Sequence, residues 1–97
     1  LPLKTQSDDA AFLERLEEGL ASLRAYAPDV LFVALGLDAF EGDPLIGLSV
    51  TTQGFGQIAS RIATLGMPTV LVQEGGYNRE FLGANITSFI SGFEGAR

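Results

Sequence analysis

Apolar residues follow a helical period in three stretches of the chain and form two short continuous runs between them. Residues 7–26, the stretch after residue 51 and the stretch after residue 78 place an apolar residue at every third or fourth position, which is typical of amphipathic helices. Residues 30–35 (VLFVAL) and 69–72 (TVLV) are continuous apolar runs. Such runs are typical of strands buried on both faces of a parallel sheet. The pattern therefore predicts the order α-β-α-β-α.

Residues with strong local preferences mark the ends of these helices. We expect Ser7 to cap the first helix and Pro28 to end it. Thr51 or Thr52 can cap the second helix, and Gly66 is well placed as its left-handed terminus. The predicted core-facing positions of the three helices are Phe12, Leu13, Leu16, Leu20 and Leu23; Phe55, Ile58, Ala59, Ile62 and Leu65; and Leu82, Ile86, Phe89, Ile90 and Phe93.

The size of the predicted sheet suggests a part of something larger. Ninety-seven residues are enough for one small α/β domain with a modest core. Two strands are few, however, because sheets of this kind typically contain about five or six. We therefore interpret residues 1–97 as a single domain that is a slice of a larger doubly wound parallel sheet. The first residue is leucine and not methionine, which suggests an excised or processed segment.

The composition excludes several classes of function. Twelve acidic and six basic residues give a net charge of −6, which argues against nucleic acid as a partner. No apolar run approaches the roughly 18 residues of a membrane span, so no membrane association is expected. The absence of cysteine excludes disulfides and thiolate metal sites and fits a cytoplasmic protein. The chain also has no histidine, so its own residues cannot complete most metal and general-base chemistry.

Two motifs carry the candidate chemistry. Residues 35–45 (LGLDAFEGDPL) and residues 73–78 (QEGGYN) each follow one of the apolar runs. They place Asp38 and Tyr77 just beyond the carboxyl ends of the two strands. Ligands bind at that end of parallel α/β sheets.

These motifs resemble the C-terminal part of the zinc-dependent deacetylase family that includes histone deacetylases and acetylpolyamine amidohydrolases. The resemblance rests on the two motifs above and on residues 51–55 (TTQGF), in the right order and spacing. It implies a three-layer α/β/α fragment of the arginase/deacetylase fold. It also implies zinc-dependent hydrolysis of an acetylated amine, either acetyl-lysine or an acetylpolyamine.

The resemblance assigns roles to five residues. Asp38 matches an aspartate that binds the zinc ion, and Tyr77 matches the tyrosine that hydrogen-bonds the amide carbonyl and then the oxyanion. Gly75 and Gly76 match glycines beside the substrate tunnel, and Leu45 matches an apolar residue of its wall. The family's other zinc ligands and its paired histidines have no counterpart in this chain. We therefore expect the isolated chain to bind no zinc and to be inactive.

Several residues near these motifs have simpler interpretations. Asp43, which precedes Pro44, is expected to form a turn and not to bind a metal. Glu74 is expected to shape its loop. Asn85 begins a glycosylation sequon that falls within a predicted helix, so we interpret it as fortuitous.

An alternative function stays open on the sequence. The chain could be a non-catalytic small α/β module, a truncated homologue that associates with itself. The edges and apolar faces of a two-stranded sheet favour a homo-oligomer under either interpretation.

Overall fold

The computed structural model describes all 97 residues and contains five main elements in the predicted order. They are α1 (Asp9–Tyr26), β1 (Leu31–Gly36), α2 (Thr52–Ala63), β2 (Thr69–Glu74) and α3 (Arg79–Ala96). A single turn of 3₁₀ helix, Leu37–Ala39, directly follows β1.

The two strands pair in parallel and form the whole sheet. Leu31 lies opposite Thr69 at one end of the ladder, and Gly36 lies opposite Glu74 at the other. β2 is two residues longer than predicted, because Gln73 and Glu74 continue the pairing. Both strands therefore end at the same level, and the loops that follow them leave from the same edge of the sheet.

Capping groups fix the ends of the helices. Asp8, and not Ser7, caps α1, because the Asp8 carboxylate accepts a hydrogen bond from the Ala11 N–H at 3.0 Å. The Ser7 hydroxyl instead donates to the Lys4 carbonyl. Thr51, one of the two expected caps of α2, is confirmed because its side chain accepts from the Gly54 N–H. Asn78 caps α3 by accepting from the Phe81 N–H, which was not predicted.

A second acidic residue at the start of α1 connects this helix to α2. The Asp9 carboxylate accepts hydrogen bonds from both the backbone N–H and the hydroxyl of Thr51. A Cβ at Gly54 would overlap the Asp9 carboxylate, so the bare backbone there makes room for it. In the structure Asp9 joins the N-termini of two helices.

The core lies on one side of the sheet. Leu20 of α1, Leu35 of β1, Phe55 and Ile58 of α2, and Phe89 of α3 belong to a single buried cluster. Other predicted core positions pack around it: Phe12, Leu13, Leu16, Leu23, Leu65, Leu82, Ile86 and Phe93. Ile90 is an exception, because its side chain is 47% exposed. The apolar stripe of α3 is thus narrower than its sequence pattern indicates.

The opposite face of the sheet is open to solvent. Phe32 is 70% exposed, and Val70 and Val72 beside it are also exposed. The continuous apolar runs predicted strands buried on both faces, but this chain supplies helices for one face only. Burial therefore alternates along β1 because helices cover one of its faces only, although the side chains on both faces are apolar. No helix has the length and apolar character needed to cross a membrane.

The closest contact between α2 and α3 occurs at two glycines. A Cβ placed on Gly92 of α3 would overlap the Gly56 carbonyl and would lie 2.8 Å from the Gly56 Cα. Only hydrogen atoms can occupy this space, so the two backbones approach each other directly. Gly83, in the same helix, has nothing within 4 Å of the corresponding position.

Replacement by alanine is expected to change the free energy of unfolding in opposite directions at these two glycines. Gly92→Ala should lower the free energy of unfolding by about 1–3 kcal/mol or more, because the helices must separate. Gly83→Ala should raise it by about 0.5–1 kcal/mol, because alanine favours the helix and meets no neighbour. Urea unfolding followed by circular dichroism measures both values. Equal effects of the two substitutions would contradict the described helix contact.

Candidate active site

Asp38 lies in the 3₁₀ turn immediately after β1 and is half-buried. Two glycines leave space around its carboxylate. A Cβ on Gly36 would lie 3.0 Å from Oδ1, and so would a Cβ on Gly75 from the loop after β2. The carboxylate therefore lies close to the backbone at both strand ends, where larger residues would crowd it.

The two consecutive glycines after β2 are required by the backbone. Gly75 has φ +63° and Gly76 has φ +91°, a region that side chains disfavour. A Cβ on Gly76 would also lie 2.8 Å from Leu37 Cβ and 2.8 Å from Leu82 Cδ1. The chain therefore turns sharply over the first motif before Tyr77. This turn brings the two motifs together, as the sequence predicted.

Asp43 is the most buried acidic residue of the site, with 2% of its surface exposed. Its Oδ1 accepts a hydrogen bond from the Leu45 N–H at 2.9 Å, which is the expected turn interaction. Its Oδ2 accepts another from the Tyr77 N–H, also at 2.9 Å. One carboxylate thus connects the two loops, and the second of these bonds was not predicted.

Asn78 adds a second connection between the same loops. Its side-chain N–H donates to the Gly42 carbonyl at 2.9 Å, while its carbonyl oxygen caps α3. The rings of Phe40 and Phe81 pack nearby, with centroids 5.4 Å apart. Gly42 and Asp43 in the loop after β1 are therefore hydrogen-bonded to Asn78 and Tyr77, respectively, in the loop after β2.

The side chains of Tyr77 and Leu45 project outward from this framework. Tyr77 is 55% exposed and Leu45 is 64% exposed. The residue after Leu45, Ile46, has φ +52°, which is unusual for a β-branched residue. A strained turn next to Leu45 indicates that the surrounding hydrogen bonds determine the shape of this loop.

The structure brings all five sequence-predicted site residues to one edge of the sheet. Asp38 faces Gly75, Gly76 contacts Leu37, and the backbones of Leu45 and Tyr77 share the Asp43 carboxylate. The chain contains no group of three or more histidine, cysteine, aspartate or glutamate side chains that could hold a metal ion. Asn85 is 2% exposed and accepts a hydrogen bond from the Thr52 hydroxyl, so it is a packing residue.

Comparison with known proteins identifies the family. The family profile described as the histone deacetylase domain matches residues 1–93. The chain belongs to the histone deacetylase family. Residues 1–97 are also 47% identical to an acetylpolyamine amidohydrolase of Burkholderia pseudomallei and cover 28% of that protein. A chloroplastic histone deacetylase 10 of rice is 36% identical over 98% of the chain.

Solved structures confirm the fold. The crystal structure of the Burkholderia pseudomallei acetylpolyamine aminohydrolase superimposes on the whole chain with a TM-score of 0.95. The deacetylase domain of HDA15 superimposes on 95% of the chain with a TM-score of 0.86 at 28% identity. In both cases the chain covers little more than a quarter of the matched structure. The expected α/β fragment of the deacetylase fold is therefore confirmed.

The small number of possible metal ligands in this member of the histone deacetylase family leads to a prediction about zinc binding. Protein zinc sites use three or four ligands, and Asp38 is the one side chain here that the family resemblance assigns to zinc. The purified chain should therefore retain no stoichiometric zinc after dialysis, as measured by elemental analysis. One tightly held zinc per chain in a monomeric sample would contradict this expectation.

Proposed function

We propose that the chain is the C-terminal part of a zinc-dependent hydrolase that cleaves acetylated amines to the free amine and acetate. The observation that supports this most strongly is the joining of the two motifs at one sheet edge. Asp38 lies against Gly75, and the Tyr77 backbone is bonded to Asp43. Membership of the histone deacetylase family makes this edge the expected position of the reaction.

Asp38 suits one ligand position of a zinc site. Its carboxylate lies beside Gly36 and Gly75 at the carboxyl ends of the strands, and carboxylate oxygen is an ordinary zinc ligand. When bound, zinc supplies Lewis acidity toward a carbonyl oxygen and lowers the pKa of a bound water to about 7. The remaining ligands must come from residues outside this chain.

Tyr77 is proposed to stabilise negative charge on the substrate. Its phenol O–H would donate a hydrogen bond to the amide carbonyl oxygen and a stronger one to the oxyanion that forms from it. Such a donor is effective when its position is fixed before the reaction. Gly75 and Gly76 would allow a thin acyl-amine chain to approach the backbone, and the exposed Leu45 side chain would contact its methylene groups.

The substrate class follows from the relatives. The matched proteins include acetylpolyamine amidohydrolases and histone deacetylases, which are named for acetylated amine substrates. The chain spans about 28% of the Burkholderia relative.

Because the chain has no histidine, the general base of the proposed reaction must lie elsewhere. The chain alone should not hydrolyse an acetyl-lysine peptide or acetylputrescine above background. A cytoplasmic location remains a prediction from the absence of cysteine.

A chimera tests the role of Tyr77 directly. Residues 1–97 would replace the matching segment of the Burkholderia pseudomallei acetylpolyamine amidohydrolase, with which they share 47% identity. Tyr77→Phe in this chimera should lower kcat by about 10²-fold or more, because the oxyanion loses a fixed donor. Deacetylation kinetics with acetylputrescine measure the change.

Tyr26→Phe provides the matched control. Tyr26 ends α1 and is 80% exposed, so its hydroxyl has no proposed role. This variant should retain the kcat of the unmodified chimera. Near-normal turnover by the Tyr77→Phe chimera would exclude the proposed role of the phenol, and chelator-sensitive turnover by the 97-residue chain alone would exclude its dependence on other residues.

A second candidate function is self-association, and the open face of the sheet favours it. Phe32, Val70 and Val72 form an exposed apolar surface, and the outer edge of each strand has no partner. Unpaired edges and apolar patches promote contact with another chain. A net charge of −6 opposes association, but salt screens this repulsion beyond about 8 Å. We therefore propose that the isolated chain forms a homo-oligomer through this face.

Light scattering after size exclusion tests this proposal. The chain should elute as a dimer or larger species at micromolar concentration, and Phe32→Asp should shift it to the monomer by placing a charge in the apolar face. Tyr26→Asp also replaces an aromatic residue by a charged one, at the exposed end of α1, and should leave the assembly unchanged. A folded monomer of the unmodified chain would contradict the proposal.

A further inference from the structure

We propose that Asp43 is a positioning residue that fixes Leu45 and Tyr77 relative to each other through a single carboxylate. This inference deepens the proposed function, on which it rests for its meaning in catalysis. Its physical basis is independent of any activity. Asp43 lies in the loop after β1 and contacts the loop after β2 by a direct hydrogen bond.

The two carboxylate oxygens of Asp43 accept hydrogen bonds from different loops. Oδ1 accepts from the Leu45 N–H within its own loop, and Oδ2 accepts from the Tyr77 N–H, 34 residues away in the chain. Both distances are 2.9 Å. Hydrogen bonds to an ionised acceptor are roughly twice as strong as neutral ones. Because Asp43 is 2% exposed, water has little access to compete for these bonds.

The geometry requires a carboxylate at this position. An asparagine side chain has nearly the same shape but offers one oxygen and one NH₂ group. Whichever way it turns, its NH₂ group would face one of the two backbone N–H groups, and that bond would be lost. A buried donor left without a partner is costly. Asp43→Asn therefore removes one connection while preserving the volume of the residue.

Tyr77 depends on this connection more than on packing. The residue is 55% exposed, so packing covers less than half of its surface, and the preceding two residues are glycines with positive φ. The Tyr77 N–H is bonded to the Asp43 carboxylate, and the side chain of the next residue, Asn78, is bonded to the Gly42 carbonyl. The loop after β1 thus orients the backbone of Tyr77 through Gly42 and Asp43.

Hydrogen exchange of the full 97-residue chain tests the proposal without any substitution. The amide protons of Leu45 and Tyr77 should exchange about tenfold to a hundredfold more slowly than unstructured amides, because each is bonded to a buried charged acceptor. Their NMR order parameters should be close to the rigid value of about 0.85. Unprotected exchange at both amides would overturn the proposal by itself, so it is decided even if a variant fails to fold.

Asp43→Asn and Glu41→Gln form a matched pair of variants. Each removes one negative charge from the same loop, but Glu41 is exposed and Asp43 is buried. In Asp43→Asn, exchange at Leu45 or Tyr77 should accelerate about tenfold or more while the amides of β1 keep their protection. Glu41→Gln should change neither amide.

The pattern of change separates positioning from general stability. A residue that only stabilises the fold would accelerate exchange uniformly, including in β1 and β2, and that result would overturn the proposal. An unchanged Tyr77 and Leu45 in a folded Asp43→Asn variant would overturn it as well. The readouts report backbone order and not turnover, so an inactive chimera would refute the proposed function without affecting this result.

Discussion

The arrangement of the site depends on the parallel pairing of β1 with β2. Parallel strands send their carboxyl ends to the same edge, and here the register sets Gly36 directly opposite Glu74. The residues that follow, Asp38 on one side and Gly75 on the other, meet because the ladder ends at that level. Hydrogen bonds between the loops only refine a proximity that the backbone of the sheet has already created. A slip of one strand by a single residue would turn its side chains to the other face and displace one loop relative to the other.

Much of this fold could be predicted because its signals are local. Helical periodicity, continuous apolar runs, capping residues and glycines are read within a few positions, and they located all five elements in the correct order. The positions of the candidate site residues could be anticipated for a different reason, and their roles stay predictions. Asp38, Gly75, Gly76, Tyr77 and Leu45 sit in motifs that resemble a known family, and two strand ends are the places where such motifs meet. The resemblance was confirmed by the family match over residues 1–93.

The features that escaped prediction are contacts between distant parts of the chain. Asp43 could be expected to form a turn with Leu45, two residues away, but nothing local indicates that its second oxygen reaches Tyr77. The link from Asp9 to Thr51 has the same character. The exposure of Phe32 was missed for another reason, since hydrophobicity indicates that a face can be covered but not whether this chain covers it. Whether a strand residue such as Phe32 is buried depends on the helices that pack on that face of the sheet and not on the strand sequence alone.

The contact of Gly76 with both Leu37 and Leu82 has a consequence for how this site can vary. A methyl group at this position would press on the 3₁₀ turn after β1 and on α3 at once, so the loop that bears the tyrosine would have to move outward. Gly76 therefore has little freedom to be replaced, although it has no chemistry of its own. A library that randomises the exposed positions around the site, such as Leu45, explores specificity, whereas one that includes Gly76 mainly samples displaced loops. Steric volume at the backbone, more than reactivity, sets the mutational tolerance of this edge.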